Sequence, residues 1–128
     1  VLVSLTERDA ITEWRGLQSR YLETAAALDR ALGEYHDLGL SEFEILDLVA
    51  ETGRDECRMR DLVDLTPMTQ SALSRVVDRL QKAGLVERKE CAEDRRAMFV
   101  GLTAKGSGVH AEARKLYADL LASDLRRA

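Results

Sequence analysis

The stretch TQSALSRVVDRLQKAGLVERKECAEDRRAMFVGLTAKG, Thr69 to Gly106, decides the fold of this 128-residue chain. Leu73, Val76, Val77 and Leu80 lie on one face of a helix capped by Thr69, and Gly84 supplies the stop. Val86 to Glu90 and Met98 to Leu102 then read as strands. The polar and charged run Cys91 to Ala97 between them has the composition of an exposed hairpin tip. Gly101-Leu102-Thr103 leads into another helix. Helix, strand, basic turn, strand is the order of a winged helix. In that architecture the helix can enter a major groove while the turn reaches backbone or minor groove.

Upstream, Met59, Leu62 and Val63 mark a short helix ended by Thr66-Pro67-Met68, so residues 59–83 fit a helix-turn-helix. Before it, Ser41-Glu42-Phe43-Glu44 reads as a capping box, with Leu40 and Ile45 as its staple. That helix runs through Leu46 and Val49 and is expected to stop at a left-handed Gly53. From Thr6, paired with Asp9 as a cap, a long helix extends to about Tyr35. Ile11, Trp14, Leu17, Tyr21, Ala25, Leu28, Leu32 and Tyr35 form one stripe expected to be buried. Such a helix is about 45 Å long, more than a small domain covers by itself, so it is expected to pack on another chain or a second long helix. Downstream of Thr103 the last helix carries Val109, Leu116, Tyr117, Leu120, Leu121 and Leu125. The expected class is mainly α with a small β-hairpin wing. One domain spans 1–128, with a winged helix-turn-helix lobe over 38–103 between long helices at 6–36 and 104–128.

Composition narrows the function. Hydrophobic residues make up 45% and charged residues 33%, which describes a soluble globular chain rather than a disordered one. Charge interrupts the apolar runs too often for a membrane span. Cys57 and Cys91 lack metal-type spacing and imply neither zinc nor an oxidised scaffold; a reducing, cytoplasmic setting is expected. His36 and His110 alone do not make a metal site, and no cofactor motif occurs. The absence of a P-loop, Gly-x-Ser-x-Gly or His-Glu-x-x-His pattern argues against an enzyme.

The net charge of −4 divides unevenly. Residues 58–105 hold ten Lys/Arg and seven Asp/Glu, a net of +3, and the remainder carries −7. Attraction to phosphate depends on the contacting face rather than the total. On the helix after Thr69, the residues Gln70, Ser71, Ser74 and Arg75 fall away from the apolar stripe. Arg75 suits a bidentate contact with guanine and Gln70 one with adenine; Thr69 and Ser71 suit phosphates at the helix start. In the turn between the strands, Asp94 is placed to orient Arg96 for a narrow minor groove, with Arg95 beside it.

Val77-Asp78-Arg79-Leu80 with Gly84-Leu85-Val86, then Asp94-Arg95-Arg96, then Leu102-Thr103 and Gly106, resembles the multiple-antibiotic-resistance regulator (MarR) family. The resemblance extends over Leu38-Gly39-Leu40-Ser41, Phe43, Leu46 and the first helix with Trp14, nearly the whole chain. It implies a homodimeric regulator bound to a palindromic double-stranded DNA operator, a repressor released by a small aromatic or anionic effector and associated with the nucleoid. Carried over by position, Ser71, Ser74 and Arg75 lie at the major groove, Arg96 in the minor groove, and Asp94 buttresses Arg96. Arg79 and Arg88 complete the candidate DNA-contacting set. Effector contacts are expected near Trp14, Leu17, Tyr21 and Phe43. Leu62-Val63 and Thr66-Pro67 depart from the family pattern, so packing and turn geometry under the recognition helix are expected to differ. The chain opens at Val1 without Met and closes at Ala128, and further residues are expected at its ends. The competing reading is a winged-helix module that binds protein rather than DNA, which the acidic total favours and the basic 58–105 segment opposes.

Overall fold

The computed structural model describes residues 6–52, 57–90 and 98–126. Within them the chain forms α1 (Glu7–His36), α2 (Leu40–Glu51), β1 (Cys57–Arg58), α3 (Met59–Leu65), α4 (Gln70–Lys82), β2 (Val86–Glu90), β3 (Met98–Leu102) and α5 (Ala104–Leu125). The class is the expected one, mainly helical with a small antiparallel sheet. β2 and β3 pair from Val86 opposite Leu102 to Glu90 opposite Met98. The other edge of β3 carries β1, with Cys57 opposite Val100 and Arg58 opposite Phe99, giving the order β1-β3-β2. That third strand was not expected: two residues are too few to show an alternating pattern.

Helix starts follow their caps. The Thr6 hydroxyl accepts from the Asp9 amide at 3.2 Å, the Thr69 hydroxyl from Ala72 at 3.1 Å, and the Thr103 hydroxyl from Gly106 at 3.0 Å. Each satisfies a donor the helix cannot pair internally. Thr69→Ala should therefore cost about 1 kcal/mol, read as a lower midpoint in urea unfolding with an unchanged slope.

The start of α2 corrects the sequence reading. The N-cap is Gly39, two residues before Ser41, and Glu42 rather than Glu44 reaches back, its carboxylate accepting from the Gly39 amide at 3.2 Å. The flanking pair is then Leu38 and Phe43, both buried, rather than Leu40 and Ile45. The next amide, Leu40, donates to the Asp29 carboxylate of α1 at 2.8 Å. Asp37, at φ 55°, turns the chain between the two helices. α2 itself ends at Glu51 with Thr52 as its cap; Gly53 lies outside the described residues.

The core gathers Phe43, Ile45, Leu46 and Val49 of α2 with Leu62 of α3 and the α4 stripe Leu73, Val76, Val77 and Leu80. Leu85, Val86 and Val100 close it from the sheet, while Leu32 and Ala113 bring in α1 and α5. The α1 stripe departs from expectation. Leu28 and Leu32 are buried, but Trp14 is 61% exposed, Leu17 56% and Tyr21 70%; Ile11 and Tyr35 are exposed as well. α1 packs on α5 and on α2 without covering the rest of its apolar face.

Candidate nucleic-acid interface

α4 presents one face to the core and the other to solvent, and three sets of contacts fix its position. First, the Arg88 guanidinium of β2 pairs with Asp78 at 2.7 Å, donates to the Gln81 amide oxygen at 2.7 Å and reaches the Ser74 carbonyl at 3.4 Å. Second, the α4 C-terminus is gripped from α5. The Thr103 hydroxyl donates to the Gly84 carbonyl at 2.6 Å and Lys105 Nζ to the Ala83 carbonyl at 3.0 Å, pairing carbonyls that the helix leaves open. Third, the Leu85 amide bonds the Leu80 carbonyl while the Leu85 carbonyl accepts from the Thr103 amide, both at 3.0 Å. Gly84 takes φ 77°, a left-handed conformation open to glycine at little cost, and so turns the chain from helix into strand.

On the outward face Gln70, Ser71, Arg75 and Arg79 are exposed and Ser74 is half-buried. The Arg75 Nε rests on the Ser71 carbonyl at 3.4 Å, which leaves its terminal nitrogens outward of that bond. Arg79 stands 3.8 Å from Glu42 of α2. Between α2 and α4 runs a groove of about 360 Å³ lined by Ser41, Met68, Ala72, Arg75, Val76 and Arg79. Among the described residues, two guanidiniums and no carboxylate line it. The first turn of α4 likewise holds no acidic residue, whereas those of α1 and α2 do. Free amides at the start of a helix attract anions, and here the Thr69 hydroxyl takes the Ala72 amide while no carboxylate of the first turn competes for the others.

The structure thus brings Thr69, Gln70, Ser71, Ser74, Arg75 and Arg79 onto one helix and its rim. Arg88 has a different setting: its bonds run into α4, so it holds the helix against β2. Asp94, Arg95 and Arg96 lie outside the described residues, in the segment joining β2 to β3. Sequence reading missed Asp78, Gln81 and Lys105, whose partners lie outside their own helices and carry no local signature.

The residues expected to meet an effector separate into two groups. Leu17 and Tyr21 line a cavity of about 370 Å³ bounded by α1, α2 and α5. Phe43 is fully buried in the core, 4.6 Å from the Tyr117 ring and 6.0 Å from that of His110. It therefore supports the cavity from behind. Trp14 does not line it. Arg20, Leu28, Glu44, Tyr117 and Leu125 do, and sequence reading missed them in this role. Leu17, Tyr21 and Leu28 recur at helical spacing on α1, as Tyr117, Leu121 and Leu125 do on α5. The signal was visible but read as core. Burial raises the Glu44 carboxyl above its ordinary range. The Tyr117 hydroxyl is raised first by burial and then by the negative charges of Glu44, Asp47 and Glu51.

Beside the cavity, Asp47 ties α2 to α5, accepting from His110 at 2.6 Å and from Arg114 at 2.5 Å. The bond and charge of Asp47 hold the Arg114 guanidinium above its usual value. Among the described residues no cluster of His, Cys, Asp and Glu is arranged to hold a metal, and no described helix is long and apolar enough to cross a membrane.

A helix-turn-helix whose second helix is bolted to a β-hairpin and offers an arginine-rimmed outer face defines the winged helix-turn-helix class. A model of the MarR family matches residues 36–97. Among solved structures, AbsC, a MarR family transcriptional regulator from Streptomyces coelicolor, superposes with a TM-score of 0.84 at 27% identity over 96% of this chain and 82% of its own. A second MarR family regulator from that organism, solved in complex with DNA, gives 0.87 at 28% identity over 99% and 79%. The transcriptional regulator BldR from Sulfolobus solfataricus gives 0.83 at 27% over 97% and 88%. Curated protein sequences yield no significant match. The chain is thus similar to MarR family transcriptional regulators, in sequence over residues 36–97 and in fold over nearly its whole length.

Proposed function

We propose that this protein is a homodimeric transcriptional regulator that binds a palindromic double-stranded operator, acts as a repressor in the cytoplasm at the nucleoid, and is released by a small molecule. The observation that carries the reading is the outer face of α4, where Arg75 and Arg79 flank an acid-free helix start while Arg88 and Thr103 fix the helix behind them. A helix so held can keep a fixed register in a major groove, with Gln70, Ser74 and Arg75 toward base edges and Thr69 and Ser71 toward phosphates. Arg79 sits at the rim for backbone contact. In the segment between β2 and β3, Arg95 and Arg96 would reach the duplex, with Asp94 orienting Arg96. A relative of similar fold solved in complex with DNA supports the choice of ligand.

Two considerations support the dimer. Two recognition helices must meet successive major grooves about 34–36 Å apart. The apolar face of α1 is exposed in the single chain, and contiguous apolar surface of that kind marks an interaction site. A second copy seated on α1 and α5 would cover it.

Titration of operator and scrambled duplexes tests the assignment. Arg75→Ala should forfeit about 1–3 kcal/mol of discrimination and bind both duplexes alike. Arg96→Ala should weaken binding to both with a smaller change in preference. Wild-type affinity should fall steeply with added salt, as phosphate neutralisation requires. Variants with wild-type affinity and preference, or binding indifferent to salt, would reject it and favour a protein-binding module.

A further inference from the structure

Resting on the reading of this chain as a regulator released by a small molecule, we infer that the cavity between α1, α2 and α5 takes a small amphiphilic cation, an apolar body of aromatic size bearing an ammonium that pairs with Glu44. The cavity measures about 370 Å³, and Leu17, Tyr21, Leu28 and Tyr117 supply apolar and aromatic walls. Among the described residues two charged side chains line it, and they differ in their partners. The Arg20 guanidinium donates to the Leu125 carbonyl at 2.9 Å, at the end of α5 where helix carbonyls gather negative partial charge. Glu44 has no hydrogen bond or ion pair among the described residues.

A half-buried carboxylate facing apolar walls without a partner is costly, and the cost falls when a donor or a cation meets it. The surroundings point the same way. Glu44, Asp47 and Glu51 together place negative charge around Tyr117, opposed there by Arg114. Charge complementarity therefore favours a cation. An anionic ligand would bring a second negative charge beside Glu44. An apolar segment of a second copy would leave Glu44 stranded against hydrocarbon. The effector expected from family resemblance was aromatic or anionic; the cavity keeps the first attribute and exchanges the second.

Three probes of one shape separate the alternatives: 2-phenylethylammonium, 2-phenylethanol and 3-phenylpropanoate, each titrated calorimetrically into the DNA-free protein. The ammonium should bind tightest. Glu44→Gln should weaken the ammonium about tenfold or more, the effect of losing one charge-assisted contact, and leave the alcohol unchanged. Arg20→Gln should leave the ammonium as tight as before. Equal or tighter binding of the propanoate, an ammonium affinity indifferent to Glu44→Gln, or no heat from the ammonium because a second copy fills the cavity would overturn the inference. Operator titration of the same samples without probe reads the regulator assignment separately, since Glu44 lines the cavity and not the groove beside Arg75 and Arg79.

Discussion

Gly106→Ala should destabilise the protein by about 3 kcal/mol, at the upper end of what overpacking costs. A Cβ at this position would stand 1.9 Å from the Leu85 carbonyl oxygen and 2.8 Å from its carbon. Both are backbone atoms, held by bonds from Thr103 to Leu85 and from Leu85 to Leu80. No rotamer change relieves the clash; α5 must separate from the turn that ends α4. The loss should appear as a fall of about 10 °C in the thermal midpoint for a domain of this size. Gly108, two residues along the same helix, is the control. A Cβ there meets nothing within 4 Å, so Gly108→Ala should stabilise by about 0.5–1 kcal/mol through helix propensity. Equal midpoints for the two variants would contradict the packing argument. The same contact accounts for the glycine of the Leu-Thr-x-x-Gly signature, which permits α5 to lie directly on the turn behind α4.

The combined variant Ile11→Glu, Trp14→Glu should lose operator affinity by about a hundredfold or more while remaining folded. Both side chains are exposed on α1 and neither belongs to the core, so the single chain forfeits little by the exchange. In a dimer the same carboxylates would be buried in an apolar seam without partners, and the subunits should separate. A monomer engages one half-site and loses the effective concentration that joins the second, a factor of about 10²–10⁴. Sedimentation at micromolar concentration should report the monomer mass, alongside an unchanged helical circular dichroism signal. A variant that stays dimeric and keeps its operator affinity would remove this seam from the proposal.

The parts of the fold legible in sequence share a property: their signals are local. Thr69 with Gly84 bounds α4, Thr103 opens α5, and the charged 91–97 run separates β2 from β3, whose ends match the expected ones. Where a cap can be written in two registers, sequence does not arbitrate. Ser41 and Glu44 satisfied the pattern as well as Gly39 and Glu42, and the choice fell to the tertiary contacts of Leu38 and Asp29. Periodicity on α1 located an apolar face correctly but not its cover, because a stripe looks alike whether its partner is in the same chain or another. The candidate DNA-contacting side chains of α4 were legible because they alternate with the buried stripe. The internal role of Arg88 was not, since Asp78 and Gln81 lie one helix earlier. Glu44 was misassigned to a cap for a related reason: sequence records that a carboxylate is present, not which wall it faces.

The carboxylate of Asp29 has a mechanical consequence. By taking the first amide of α2 it stiffens the corner that Asp37 turns, so α1 and α2 behave as one bent rod rather than two hinged ones. Glu42 on that rod stands beside Arg79 on α4, and shared apolar packing joins the two helices along their length. A ligand wedged against α1 in the cavity, as proposed, would therefore be felt at the outer face of α4 without reaching it. Tilting the rod is enough to change the pitch at which α4 is offered.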